Sequence, residues 1–139
     1  MKERGFIDTN ILIYTDDSAF PEKQTIATQL LEDGWNSGNM VLSTQVLQEY
    51  FAASTRKLGI SAKTAQRKIE LLAYLDIVSI EHGDVVQAID LHRLHSFLFW
   101  NALIIRMAQK TDCTILYTED MQHNQQIGDV RIANPFRNL

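Results

Sequence analysis

Short apolar runs alternate with longer helical patterns along the whole chain, and that alternation leaves few architectures open. The β-type runs fall at residues 6–8, 40–43, 77–80, 114–117 and, more weakly, 130–133. Between the first two, Pro21 and Glu22 open a helix, since proline suits the first turn and an acid suits the positive helix end. The turn-rich stretch 34–39 closes it. Two more helices are expected over 45–58 and 61–75, hinged at Gly59. In the second, Ser61 can cap, and Ala65, Ile69, Leu72 and Ala73 share one face. Helices over 84–95 and 98–110 complete the pattern. Alternating elements of this kind favour a largely parallel sheet of about five strands, covered on both faces and joined by right-handed crossovers. With 139 residues and 45% hydrophobic content, the chain has material for one sizeable core and not two. The expectation is a single α/β domain over 1–139.

The composition narrows the setting. The lone cysteine, Cys113, excludes an intrachain disulfide and a cysteine-based zinc site, so it reads as structural in a reducing, cytoplasmic environment. The apolar run after Gly5 is too short for a signal peptide. The most apolar stretch, 97–107, is interrupted by Asn101 and Arg106 and falls far short of a membrane span. The net charge of −4 offers no global sign of nucleic-acid binding. Yet Arg56, Lys57, Lys63, Arg67 and Lys68 supply five of the thirteen basic residues with no acid between them. Such a block can neutralise phosphates even on an acidic protein, although it equally suits a solvated helical face.

The candidate site lies where the strands end. Asp8 terminates the first apolar run, within Phe6-Ile7-Asp8-Thr9-Asn10. Glu119 and Asp120 follow Ile115-Leu116-Tyr117-Thr118, and Glu49 lies in the first turns of the helix after the second strand. Asn101 sits early in the apolar helix that precedes Asp120. In open α/β sheets ligands collect beyond the C-terminal strand ends. Taken singly, each acid has a plain structural reading as a helix cap, a surface residue or a turn residue. Brought together they would repel, and burial would raise their pKa values. A hard divalent ion resolves that conflict, because Mg²⁺ and Mn²⁺ prefer oxygen ligands. Two such ions ~3.5–4 Å apart can activate water and stabilise a departing phosphate oxygen.

Other patterns carry less. His92 and His95 stand three apart on a helix but lack a third ligand, and His82 and His123 sit in loops. Trp100 could stack on a base, but so apolar a helix favours core packing. Val46, Leu47, Tyr50 and Phe51 form a stripe suited to the core or to a dimer interface. Neither a Gly-x-Gly-x-x-Gly nor a P-loop pattern is present, which removes the usual nucleotide signals.

Four segments in order carry a resemblance: Phe6 to Asn10, Ser43 to Glu49, Ser96 to Ile104 and Tyr117 to His123. Together they resemble the PIN-domain ribonucleases, most closely the VapC-type toxins of prokaryotic toxin–antitoxin pairs, and the likeness runs on to Phe136. The resemblance implies a three-layer α/β/α sandwich, dependence on Mg²⁺ or Mn²⁺, endonucleolytic cleavage of RNA, homodimers, and a small antitoxin that inserts a segment into the site. Asp8, Glu49 and Asp120 match the family's metal-binding acids, and Glu119 matches an acid often beside the last of them. Thr9, Asn10 and Thr118 match polar residues framing the metal pocket. Asn101 departs from the pattern, standing where the family has an aspartate. An amide is nearly isosteric with a carboxylate but lacks its charge and presents donors to a cation. The expectation is weakened metal binding and reduced cleavage, whether the change is natural or introduced to silence a toxic protein. The alternative is a PIN-like module that holds RNA or protein without cutting.

Overall fold

The computed structural model describes residues 3–139. Among them the alternation resolves into β1 (Gly5–Ile7), α1 (Thr9–Tyr14), α2 (Pro21–Ser37), β2 (Met40–Ser43), α3 (Thr44–Lys57), α4 (Ala62–Leu71), β3 (Asp76–Val78), α5 (His82–His95), α6 (Phe99–Lys110), β4 (Ile115–Tyr117), β5 (Gln126–Ile127) and β6 (Val130–Ala133). A 3₁₀ turn, Leu72–Tyr74, follows α4 where a continuous helix was expected.

The strands form one sheet in the order β3-β2-β1-β4-β6-β5. All neighbouring pairs are parallel except β5–β6. β5 is the strand that the hydrophobic pattern does not show: two residues long, it pairs back on β6 through Gly128 and Asp129. Gly128 has φ +58°, the left-handed conformation a tight hairpin needs. Every residue of β1 and β2 is buried although their side chains alternate in direction, so helices cover both faces of the sheet centre.

The core joins Phe6 and Ile7 of β1, Val41 and Leu42 of β2, Leu116 of β4 and Ile132 of β6, all fully buried. Burial of side chains this size is worth about 1.5–3 kcal/mol each. Ile104, Ile105 and Met107 bring α6 onto the same core, which fixes the helix that carries Asn101. On its other side α6 meets α5 through Ala88, Ala102 and Leu103. Asp84 braces this pair. It is buried in the capping box of α5 and accepts from Arg106 Nε at 3.1 Å and Lys110 Nζ at 2.8 Å.

Strand order reverses beside β1. From it the chain moves outward through β2 and β3 on one side and places β4 and β6 on the other. The crevice between the ends of β1 and β4 is therefore the topological switch point of the sheet.

Candidate active site

Register brings the first and last acidic segments together. Ile7 pairs with Tyr117, so Asp8 and Thr118 leave their strands side by side. The Asp8 amide donates to Tyr117 O at 3.1 Å. Asp8 is not the last strand residue the sequence suggested. Its side chain accepts from Thr9 N at 2.7 Å and caps α1, turning the chain out of the sheet. Thr118, fully buried, donates its hydroxyl to Asp8 Oδ2 at 2.8 Å and accepts the Asp120 amide at 3.1 Å. One hydroxyl thus fixes two acids.

Glu49 arrives on α3, whose start is set by the Ser43 cap. Thr9 donates its hydroxyl to Glu49 Oε1 at 2.8 Å, and Gln45 Nε2 donates to the same oxygen at 3.4 Å. Asn10 Nδ2 reaches Asp120 Oδ2 at 3.0 Å, Thr118 Oγ1 at 3.3 Å and, at the limit of a hydrogen bond, Asp8 Oδ2 at 3.5 Å. All three pocket-framing residues thus touch a carboxylate. Sequence reasoning did not single out Gln45, although its place one turn before Glu49 on α3 is the signal that could have found it. Its amide nitrogen also donates to Trp100 O at 3.3 Å, tying α3 to the start of α6.

All of these acids and the side chains that hold them, except Thr118, which lies beneath them, line an open pocket of about 520 Å³ that also includes Asn101, Glu119, Arg56, Lys57, Phe20 and Trp100. Asp8 is 5% exposed, and its carboxyl is pushed up to about 6, chiefly by burial. The charges of Asp120 and Glu49 add to that rise, while Thr118 and Thr9 oppose it through their hydrogen bonds. Asn10 Oδ1 and Gln45 Oε1 are buried acceptors with no hydrogen-bond donor among the described residues. Every oxygen here is a hard ligand, so the chemistry of the set suits Mg²⁺ or Mn²⁺ rather than a soft metal. Among the described residues no three acids or histidines lie close enough to enclose an ion. Neutral donors from Thr9, Asn10, Gln45 and Thr118 stand on the carboxylates instead.

The two remaining assignments come out differently. Glu119 lines the pocket, but both its oxygens are taken: Tyr14 donates its hydroxyl to Oε1, and Lys23 Nζ lies 2.9 Å from Oε2. That anchors the loop bearing Asp120 to α1 and α2. The basic block splits. Arg56 and Lys57 border the acidic pocket, whereas Lys63, Arg67 and Lys68 lie along an apolar groove beside Trp35 and Leu71. Lys68 is no solvated phosphate contact. It pairs with Asp16 at 3.0 Å, donates to the Thr15 hydroxyl, and sits 5.3 Å from the Tyr50 ring centre. Trp100 is also corrected. It is 62% exposed at the pocket edge, because the first turn of α6 projects beyond the core that its later turns enter. Val46 and Tyr50 are core as expected, and Phe51 is exposed. His92 Nδ1 bonds to Phe97 O, which explains it as a local tie. Cys113 is buried, with its thiol pushed up by that burial.

A family model of the PIN domain matches residues 5–126. The chain belongs to the PIN domain family. The match takes in Asp8, Glu49, Asn101 and Asp120 and ends at the first residue of β5. No curated protein matches the sequence. Solved PIN-fold structures do match in shape. The Mycobacterium tuberculosis VapC20, a toxin that cleaves the sarcin–ricin loop, shares 20% identity over 84% of this chain and 89% of its own, with a TM-score of 0.67. A toxin–antitoxin complex from Klebsiella pneumoniae shares 19% identity over 95% and 98%, with a TM-score of 0.68. VapBC2 from Rickettsia felis, bound to a DNA fragment from its promoter, shares 17% identity over 94% and 97%, again at 0.68. At these identities the likeness establishes the fold.

Proposed function

We propose that this PIN protein is a VapC-like toxin: a metal-dependent endoribonuclease, paired with a small antitoxin and held at low activity by Asn101. One observation carries the reading. Among the described residues Asp16, Asp76, Asp84 and Glu119 each have a Lys or Arg partner within 3.1 Å, whereas Asp8, Glu49 and Asp120 form no ion pair. Three acids gathered at the switch point without a cation are expected where a cation is to be bound.

Mg²⁺ or Mn²⁺ would be held by Asp8, Glu49 and Asp120 once they draw together around it, since as they stand they do not enclose an ion, with Asn101 as a weak fourth ligand and Glu119 as a neighbour. When bound, such an ion supplies charge neutralisation and an activated water for phosphodiester hydrolysis. The protein's own part is positional. Thr118 and the Thr9 amide hold the Asp8 carboxylate in one rotamer, Thr9 and Gln45 hold Glu49, and Asn10 holds Asp120. Lys23 and Tyr14 keep Glu119 anchored and so fix the Asp120 loop. Arg56 and Lys57 can meet the phosphates of a strand entering the pocket. Asn101 offers one neutral oxygen where a carboxylate offers a charge, which lowers affinity for the ion.

The antitoxin partner is supported by the toxin–antitoxin assemblies among the structures of this fold. A homodimer and a cytoplasmic location follow from the same family likeness. No helix among the described residues is long and apolar enough to cross a membrane. Asn101 itself favours a second reading, a PIN module that binds RNA or protein without cutting.

Cleavage of a mixed cellular RNA pool by the chain and by Asn101→Asp, with Mg²⁺ or Mn²⁺ and with chelator, separates the two. Chelator-sensitive cutting, stronger in the aspartate form, supports the toxin. Magnesium-independent binding without cutting by either form supports the module.

A further inference from the structure

Trp100 is the surface feature that the catalytic reading leaves unused. It precedes Asn101 in the first turn of α6, borders the acidic pocket and is 62% exposed. Leu98, two residues before it, is also strongly exposed, so the start of α6 presents an apolar patch at the pocket edge rather than a lone side chain, and such a patch marks a place where something binds. The position of Trp100 is nonetheless fixed. Its carbonyl accepts from Gln45 Nε2 at 3.3 Å, and its ring meets Phe99 edge-on at 5.1 Å and 73°. Phe20, the other exposed aromatic on this pocket, is engaged by Tyr14 at 5.8 Å and by the Lys23 ammonium at 5.6 Å. Trp100 therefore presents the freer and larger aromatic surface.

Its surroundings distinguish the possible occupants. Charged groups are depleted at the centre of protein–protein interfaces. This pocket carries Arg56 and Lys57 and five acids. Cations for phosphates, an aromatic face for a base and a cluster of unpaired acids together match a single nucleic-acid strand. We infer that Trp100 is a base-stacking platform that seats an unpaired nucleotide next to the carboxylates. A base can reach that ring only where it is unpaired, since bases within an A-form duplex are already stacked and out of reach. This inference rests on the ribonuclease reading and adds the side chain that seats the nucleotide.

The test uses the full chain in a Trp35→Phe background, which leaves Trp100 as the sole tryptophan because the sequence has two. Its fluorescence is followed while adding single-stranded oligouridine, the same strand with abasic positions, or an RNA duplex. The expected result is quenching by the intact strand and little by the abasic strand or duplex. Trp100→Ala should weaken binding of the intact strand roughly 5- to 150-fold, equivalent to about 1–3 kcal/mol. The salt dependence should stay unchanged, because stacking releases no counterions. Trp100→Phe should retain most of the affinity. Equal affinity with and without Trp100, or equal quenching by abasic RNA, overturns the inference while leaving the ribonuclease reading in place. So does a change in oligomeric state by light scattering with RNA affinity intact, which would make Trp100 a protein-contact anchor. If no form binds RNA and Asn101→Asp cuts none, the ribonuclease reading fails and takes this inference with it.

Discussion

Asp8→Asn should make the metal-free protein more stable at neutral pH even though it removes a central carboxylate. Asp8 is 5% exposed, and its pKa rises from 3.8 to about 6 on folding. The folded state therefore binds this proton more tightly than the unfolded state does. The stability that results is fully present below about pH 3.9 and is lost as pH rises through about 6. A rise of roughly two units at about 1.4 kcal/mol each places the cost of the ionised group near 3 kcal/mol at pH 7–8. Asparagine removes that cost. It keeps an oxygen for the Thr9 amide but turns an NH₂ toward the Thr118 hydroxyl at 2.8 Å and the Asn10 amide at 3.5 Å. The Thr118 oxygen already accepts from the Asp120 amide and Asn10 Nδ2, so it must give up one of them to accept from the new NH₂, and the Asn10 contact with position 8 becomes donor against donor. Those losses offset about 1–2 kcal/mol, leaving a net gain of about 1–2 kcal/mol, or roughly 3–8 °C in Tm for a domain of this size.

The assay is thermal unfolding of both proteins in chelator across pH 4–8. The gap in favour of Asp8→Asn should open between about pH 5 and 7 and close or reverse near pH 4, because the parent carboxyl is then protonated in the folded state. In an Asn101→Asp background, added Mg²⁺ should raise Tm, and adding Asp8→Asn should abolish that rise. A variant less stable than its parent at pH 8, or a gap that does not vary with pH, would refute the claim that Asp8 is held at an electrostatic cost. The result bears on function because a site that stabilises by losing its acid was shaped for something other than stability.

Two further predictions concern charges that the structure divides between roles. Arg56→Ala with Lys57→Ala should weaken RNA binding and make its salt slope shallower by about 0.7–0.9 for each phosphate no longer neutralised, whereas Lys68→Ala should leave both unchanged and instead lower the urea midpoint, since Lys68 serves Asp16. Asp84→Asn should cost about 2–4 kcal/mol in urea unfolding at pH 7, less than a fully enclosed pair because Arg106 and Lys110 remain partly exposed. Burial resists ionisation of Asp84, but Lys110, the Glu81 amide and Arg106 outweigh it and hold the carboxyl below its ordinary value. Its contribution is therefore present above about pH 3.9 and lost as pH falls through the folded value, so the difference from the parent should shrink in acid.

The layout of the sheet was legible because it depends on periodicity and punctuation. Apolar runs ending in Asp8, Ser43 and Tyr117-Thr118 marked three strand ends, and parallel pairing then placed Asp8 beside Thr118. The short strand Gln126–Ile127 escaped because two residues carry no period, although Gly128-Asp129 was a usable hairpin signal. Trp100 was misjudged for a related reason. An apolar helix pattern identifies a buried face, but it does not say how far the first turn extends beyond the core.

Partnership among the charges is the part that a sequence conceals, and here it separates the site from the scaffold. Read along the chain, Asp16, Asp84, Glu119, Asp8, Glu49 and Asp120 are equivalent carboxylates, and Lys23 and Lys68 are equivalent cations. Folding assigns Lys68 to Asp16, Lys23 to Glu119, and Arg106 with Lys110 to Asp84. Each of these pairs ties two helices together or a helix to a loop. Among the described residues the acids left over are held by the backbone amide and hydroxyl of Thr9, the hydroxyl of Thr118 and the side-chain amides of Asn10 and Gln45, which orient a carboxylate without cancelling its charge. A neutral donor can be displaced by an arriving cation at far smaller cost than a buried lysine. Asn101 fits the same logic from the other side. Replacing a carboxylate by an amide there lowers the uncompensated charge of the pocket and should ease folding of the metal-free chain, at the expense of affinity for the ion on which cleavage would depend.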